Sequence, residues 1–250
     1  MKNPFEVHGI AHLSPSSCNT YAGSPAAFVL DKVLKRRNGV GPAAHRGTAA
    51  EAGVVLGLVE GASVDECVKH ADEEFWRLTA MSNDPRREKE RAAVGDMVKI
   101  ALAELKPYGR PTSTQGKVEY RVEGLQVPLL GFYDIEWANH NILVDLKTTH
   151  ALPSQIKIPH ARQVALYAAA KGGNLDARLT YVTPKKCATY HLENVPEHIR
   201  ALENIAKAIQ AFLSTSDDPM ELASMVVPDL ESFYFNDPAT RQAAFEVWGI

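Results

Sequence analysis

Three side chains in the stretch GFYDIEWANHNILVDLKTTH, residues 131–150, could do chemistry together: Asp134, Asp145 and Lys147. They stand among Phe, Tyr, Ile, Leu and Val, in two segments with the composition of buried strands. Residues two apart on a strand face the same side, so Asp145 and Lys147 in VDLKTT project together while Leu146 faces the opposite way. A carboxylate beside an ammonium can be a plain salt bridge. Asp134 shifts the balance, because a turn at Asn139–Asn141 would bring it and Asp145 within reach of one point. Two crowded carboxylates need a cation between them. Hard oxygen ligands suit Mg²⁺ or Mn²⁺, which a few carboxylates hold together with waters and substrate phosphate oxygens.

The elements that must position these groups can be read from caps and periodicity. Ser14–Pro15 and Ser24–Pro25 each mark a helix start, since Ser caps free amides and Pro suits the first helical position; the second helix should run to about Arg37. Residues 48–58, rich in small side chains, 63–81 and about 84–105 read as further helices. Past Pro107 the pattern changes to alternation, with strands near 117–123, 126–137 and 142–148. A helix at about 159–171, strands at 177–183 and 187–192, and a long helix at about 196–214 complete the reading. Strands flanked by helices along the sequence indicate an α/β sheet covered on its faces.

The motifs GFYDIEW, VDLKTT and ARQVALY, preceded some eighty residues upstream by HRGTAAEAG, together resemble the PD-(D/E)XK nuclease superfamily, and more narrowly its RecB-like and phage-exonuclease branch. The resemblance covers about residues 12–185. It implies a restriction-endonuclease-like core, a central mixed β-sheet flanked by helices, here with a helical N-terminal part and a C-terminal helical extension. It also implies Glu51, Asp134 and Asp145 as metal ligands, with the Leu146 carbonyl as another. Lys147 would position or activate the attacking water. Gln163 and Tyr167, four apart and so on one helix face, would contact the substrate backbone. Bound metal ions can supply the nucleophilic hydroxide, neutralise phosphoryl charge and stabilise the leaving oxygen. Some relatives carry a Cys just before the helix-starting Pro as part of an iron–sulfur cluster; here that position is Ser24, and Cys18, Cys67 and Cys187 form no cluster set. The cofactor expected is therefore Mg²⁺, with Mn²⁺ as substitute and no iron–sulfur cluster. A GxxxxGK[ST] phosphate loop is also lacking, so a helicase motor is excluded.

The activity implied is resection of double-stranded DNA ends in phage-type recombination or repair, beside a single-strand annealing protein and in a homo-oligomeric ring. A structure-selective endonuclease or a single-strand exonuclease would use the same residues, and a catalytically silent DNA-binding scaffold is the non-enzymatic alternative. A resecting enzyme must hold phosphates rather than bases. Candidates are Arg36, Arg37, Arg46, Arg162 and Lys185, with hydroxyls from Ser14 and Ser16. His45, His140, His150 and His160 lack ligand spacing and read as surface or core histidines.

Charge is unevenly placed. From Glu193 onward there are ten acidic and three basic side chains, against 24 basic and 20 acidic before it, so a mildly basic nuclease domain at 1–192 would carry an acidic, aromatic segment at 193–250 that packs on it or on a partner. An apolar content of 45% excludes a disordered chain. With no apolar leader in MKNPFEVHGIAHLS and no run of about 18 apolar residues, the expected location is the cytoplasm of a bacterium or phage-infected cell, with no membrane partner.

Overall fold

The structure, a computed structural model, describes residues 2–36 and 40–250. In chain order the helices are α1 (Pro4–Val7), α2 (Pro15–Gly23), α3 (Pro25–Phe28, continued by a π-helical turn at Val29–Val33), α4 (Pro42–Val59), α5 (Val64–Thr79) and α6 (Arg87–Leu105). The strands β1 (Ser113–Tyr120), β2 (Leu129–Trp137) and β3 (Ile142–Thr148) follow, then α7 (Ile158–Ala170), β4 (Asp176–Val182), β5 (Cys187–His191), α8 (Val195–Leu213), α9 (Pro219–Ser224) and α10 (Pro238–Trp248). Ser14 and Ser24 cap α2 and α3 with Pro at the first helical turn, as their Ser-Pro pairs indicate.

The strands form one sheet in the order β1-β2-β3-β4-β5. β2 and β3 are antiparallel, with Ile135 opposite Val144 and Trp137 opposite Ile142. β3 and β4 are parallel from Ile142–Asp176 to Thr148–Val182, and β5 returns antiparallel to β4. The fold is therefore α/β, with a mixed central sheet flanked by helices, consistent with a restriction-endonuclease-like core.

Two compact units divide the chain. One comprises Met1–Gly39, Val118–Gly131 and Pro196–Ile250; the other comprises Val40–Lys117 and Phe132–Val195. The chain passes between the units at Val195–Pro196 and also inside β1 and β2.

In the second unit, α4, α5 and α6 share one core with the sheet: Ala49, Val54, Phe75, Met97 and Leu102 pack with Ile135, Trp137, Val144 and Leu146. The small residues of α4 allow this layer to close. A Cβ on Gly53 would lie 2.7 Å from the Cys67 carbonyl oxygen of α5. Because Val144 and Leu146 face that core, strand alternation sends Asp145 and Lys147 to the other face. There Tyr181, paired with Lys147 across the parallel ladder, meets the start of α7: its hydroxyl accepts from the Lys157 amide at 3.2 Å and lies 2.7 Å from His160 Nδ1.

In the first unit, Ala26, Ala27 and Leu30 pack with Phe235 and Ala244, which places α10 on α3. Helix α8 buries Leu202, Ala206, Ile209 and Leu213, while its Glu203 accepts from the Tyr120 hydroxyl at 2.8 Å. No helix among the described residues is long and apolar enough to cross a membrane.

Candidate active site

The site begins where a ladder ends. Pairing between β2 and β3 stops at Ile135–Val144, one step short of Asp134 and Asp145. The Leu146 amide, left without a ladder partner there, donates to Asp134 Oδ2 at 2.7 Å. Asp145 is fully buried, and neither of its carboxylate oxygens accepts a hydrogen bond of good geometry. The Lys147 ammonium lies 2.6 Å from Oδ2. Such a group would ordinarily be expensive to bury.

Glu51 reaches the same cluster from α4. Its Oε1 accepts from Gln115 Nε2 at 3.2 Å, and it interacts electrostatically with both Asp145 and Lys147. Burial raises the Asp134 carboxyl well above the usual carboxylate range, and the charges of Asp145 and Glu51 push it further up, against Lys147 and the Leu146 amide. Burial likewise raises Glu51. For Lys147 burial acts downward, but Asp145, Asp134 and Glu51 outweigh it, and the ammonium is held above the ordinary lysine value. Three carboxylates thus face one ammonium, an excess of negative charge in a site largely withdrawn from water.

Among the described residues, no group of three or more His, Cys, Asp or Glu side chains is arranged to hold a metal ion. The donor set nevertheless fits a hard divalent cation. It is all oxygen, it carries surplus negative charge, and its most buried member has carboxylate oxygens that no hydrogen-bond donor satisfies. Glu51, Asp134 and Asp145 are the residues that could hold it.

On α7, Gln163 and Tyr167 are joined as their spacing suggests, with Gln163 Nε2 donating to the Tyr167 hydroxyl at 2.6 Å. Tyr167 itself is 1% exposed, so its ring belongs to the core and its hydroxyl meets Gln163. Burial, and then the charge of Asp145, raises its hydroxyl above the ordinary tyrosine value.

Arg46 lies mostly inside the protein. Expected to face DNA, it is 5% exposed and turned inward. Its guanidinium pairs with the buried Glu90 carboxylate, donates to the Thr148 carbonyl at 3.1 Å and lies 2.9 Å from His150 Nε2. It braces α4 and α6 against the end of β3. Among the other candidates, Arg162 sits half-buried beside Gln163, and Lys185 is exposed in the turn after β4. With His150, Leu152, Pro184 and Lys186, Lys185 lines an open basin of about 440 Å³. In the first unit, Ser14 and Ser16 bond to each other at 2.8 Å, and Arg36 pairs with Glu246 at 2.7 Å. Arg37 lies outside the described residues.

Sequence reasoning missed Gln115, which has no motif, and undervalued His160 and His150. His160 lies close enough to feel Lys147; burial first, then that charge, pushes its imidazole down to about 4. Only its place three residues before Gln163 hinted at the site.

A crystal structure of SSO0001 aligns with this chain at 18% identity over 72% of this chain and 84% of that one, with a TM-score of 0.36. No curated protein matches it. The family model of the PD-(D/E)XK nuclease superfamily matches residues 12–233, a span that contains every residue of the cluster just described, and the chain belongs to that superfamily.

Proposed function

We propose that the protein is a Mg²⁺-dependent deoxyribonuclease, an exonuclease of the RecB-like and phage-exonuclease branch that resects double-stranded ends. The observation that carries the metal-dependent chemistry is Asp145, buried with neither carboxylate oxygen in a hydrogen bond of good geometry and clustered with Asp134, Glu51 and Lys147. The choice of duplex ends, and of phage-type recombination or repair as the setting, rests on the resemblance of the four motifs.

In this reading Glu51, Asp134, Asp145 and the Leu146 carbonyl hold the cation. Bound there, a divalent ion supplies charge neutralisation on the phosphoryl oxygens and a hydroxide nucleophile at neutral pH. Lys147 orients the attacking water through its ammonium hydrogens. Gln163, fixed by its bond to Tyr167, presents its remaining amide hydrogen and oxygen to the scissile strand. Arg162 and Lys185 hold phosphates, with Arg36, Arg37, Ser14 and Ser16 as further contacts. Such contacts make binding fall steeply with salt and leave it indifferent to sequence. The proposed setting is cytoplasmic, with a single-strand annealing protein as partner and a homo-oligomeric ring as the working form; a monomeric mass by light scattering at working concentration would count against the ring.

Digestion of linear duplex DNA in Mg²⁺, comparing 5′-phosphate, 5′-hydroxyl and covalently closed ends, tests the proposal. Degradation from open ends alone is expected. Cutting of closed circles would make the protein an endonuclease.

A further inference from the structure

Inside β1 the backbone of Gln115 is left-handed, with φ at +50°. That region is disfavoured for residues with a Cβ. The other described non-glycine residues with positive φ, Lys35, Asn141 and Asn194, lie outside the strands, and two of them are Asn, which tolerates the conformation. A glutamine in mid-strand has no such local reason. Its surroundings hold it there. The next residue, Gly116, presses so closely on Tyr133 that a Cβ would lie 2.0 Å from the ring. Two residues before, the Ser113 hydroxyl lies 2.9 Å from that of Tyr133 and donates to Glu136 at 2.8 Å. β1 is fastened on both sides of the kink. The left-handed turn sends the Gln115 side chain to Glu51, where Nε2 donates to Oε1 at 3.2 Å.

We propose that Gln115 is a positioning residue for the metal ligand Glu51: the kink in β1 aims a neutral amide at one carboxylate oxygen and leaves the other for the cation. The chemistry favours an amide in this place. Arg or Lys would orient the carboxylate equally well but would neutralise the charge that attracts the metal. Ser or Thr would be too short to reach across from β1. A strained residue persists where the surrounding structure over-determines it, and such residues cluster at active sites. The inference rests on the reading of Glu51, Asp134 and Asp145 as ligands.

The test is calorimetric titration of the full chain with Mn²⁺ in the absence of DNA, for wild type, Gln115→Gly, Gln115→Asn and Asp145→Asn, with thermal melting in chelator alongside. Gly and Asn both accept the left-handed backbone, so the chelated variants should melt at or above the wild-type temperature. Their Mn²⁺ affinity should nonetheless fall about tenfold, the lower end for loss of a group that orients a ligand. Unchanged Mn²⁺ affinity in both Gln115 variants would overturn the proposal. Wild type that binds no Mn²⁺, or Asp145→Asn that binds as tightly as wild type, would overturn the site reading itself and this inference with it.

Discussion

Two buried acids, each with a lysine, lie within a few residues of each other on the sheet, and their fates differ. Glu136 on β2 accepts from Ser113, from the Tyr133 hydroxyl and from Lys171, each at 2.8 Å. Asp145 on β3 pairs with Lys147 at 2.6 Å, and its carboxylate oxygens accept no hydrogen bond of good geometry. Burial pushes the Glu136 carboxyl up, but Lys171, Tyr133 and Ser113 outweigh it and hold the group below the usual carboxylate range. The Asp134 carboxyl beside Asp145 is driven the other way, up by burial and then by the charges of Asp145 and Glu51. Burial and an adjacent lysine do not by themselves distinguish a brace from a site. Hydrogen-bond satisfaction does: Glu136 is surrounded by donors, whereas Asp145, the proposed catalytic acid, is left with acceptor capacity that protein donors do not fill.

The contrast can be broken at either end. Lys147→Ala should have the largest effect, lowering single-turnover DNA cleavage by about 10²–10⁴-fold while DNA binding in Ca²⁺ stays near wild type; a rate within tenfold of wild type would remove Lys147 from the chemistry. Arg46→Met should unfold more readily in urea by about 3–5 kcal/mol, because it leaves the Glu90 carboxylate buried without its guanidinium. A stable variant with weakened DNA binding would restore Arg46 as a phosphate contact. Glu136→Gln should cost about 1–3 kcal/mol. Since the folded-state pKa of Glu136 is lowered, its contribution is present above the ordinary carboxylate pKa and is lost as pH falls through the folded value, so the variant's deficit should shrink in acid.

The smallest effect should have the opposite sign. Asp134→Asn keeps an acceptor for the Leu146 amide but removes a charge that two other carboxylates oppose. In chelator at neutral pH it should be more stable than wild type by about 1 kcal/mol. A raised carboxyl contributes stability in acid that is lost as pH rises through the folded pKa, so melting curves across pH should be flatter in this variant than in wild type. A loss of stability like that of Glu136→Gln would erase the distinction between the two acids.

Much of this contrast was legible beforehand, but unequally. The proposed catalytic side stood out because carboxylates and a lysine are out of character in VDLKTT and GFYDIEW, and strand periodicity placed them on one face. Helix starts were legible from Ser-Pro pairs, and Asp218-Pro219 and Asp237-Pro238, which open α9 and α10, carry a similar signal. β1 begins at Ser113, earlier than alternation suggests, because the kink at Gln115 and the following Gly116 disrupt the period of two. β2 begins only after Pro128, which cannot donate to a ladder. The braces were invisible. Arg46, Glu90 and His150 are 44 and 60 residues apart, and nothing in a sequence says which charged residues will meet inside.

The most direct test of the central claim is incubation of linear duplex DNA in Mg²⁺ with wild type and with Asp145→Asn, each repeated in chelator. The account predicts hydrolysis by wild type in Mg²⁺ and by none of the other three combinations. Cleavage by Asp145→Asn at the wild-type rate, or intact DNA in every lane, would contradict it.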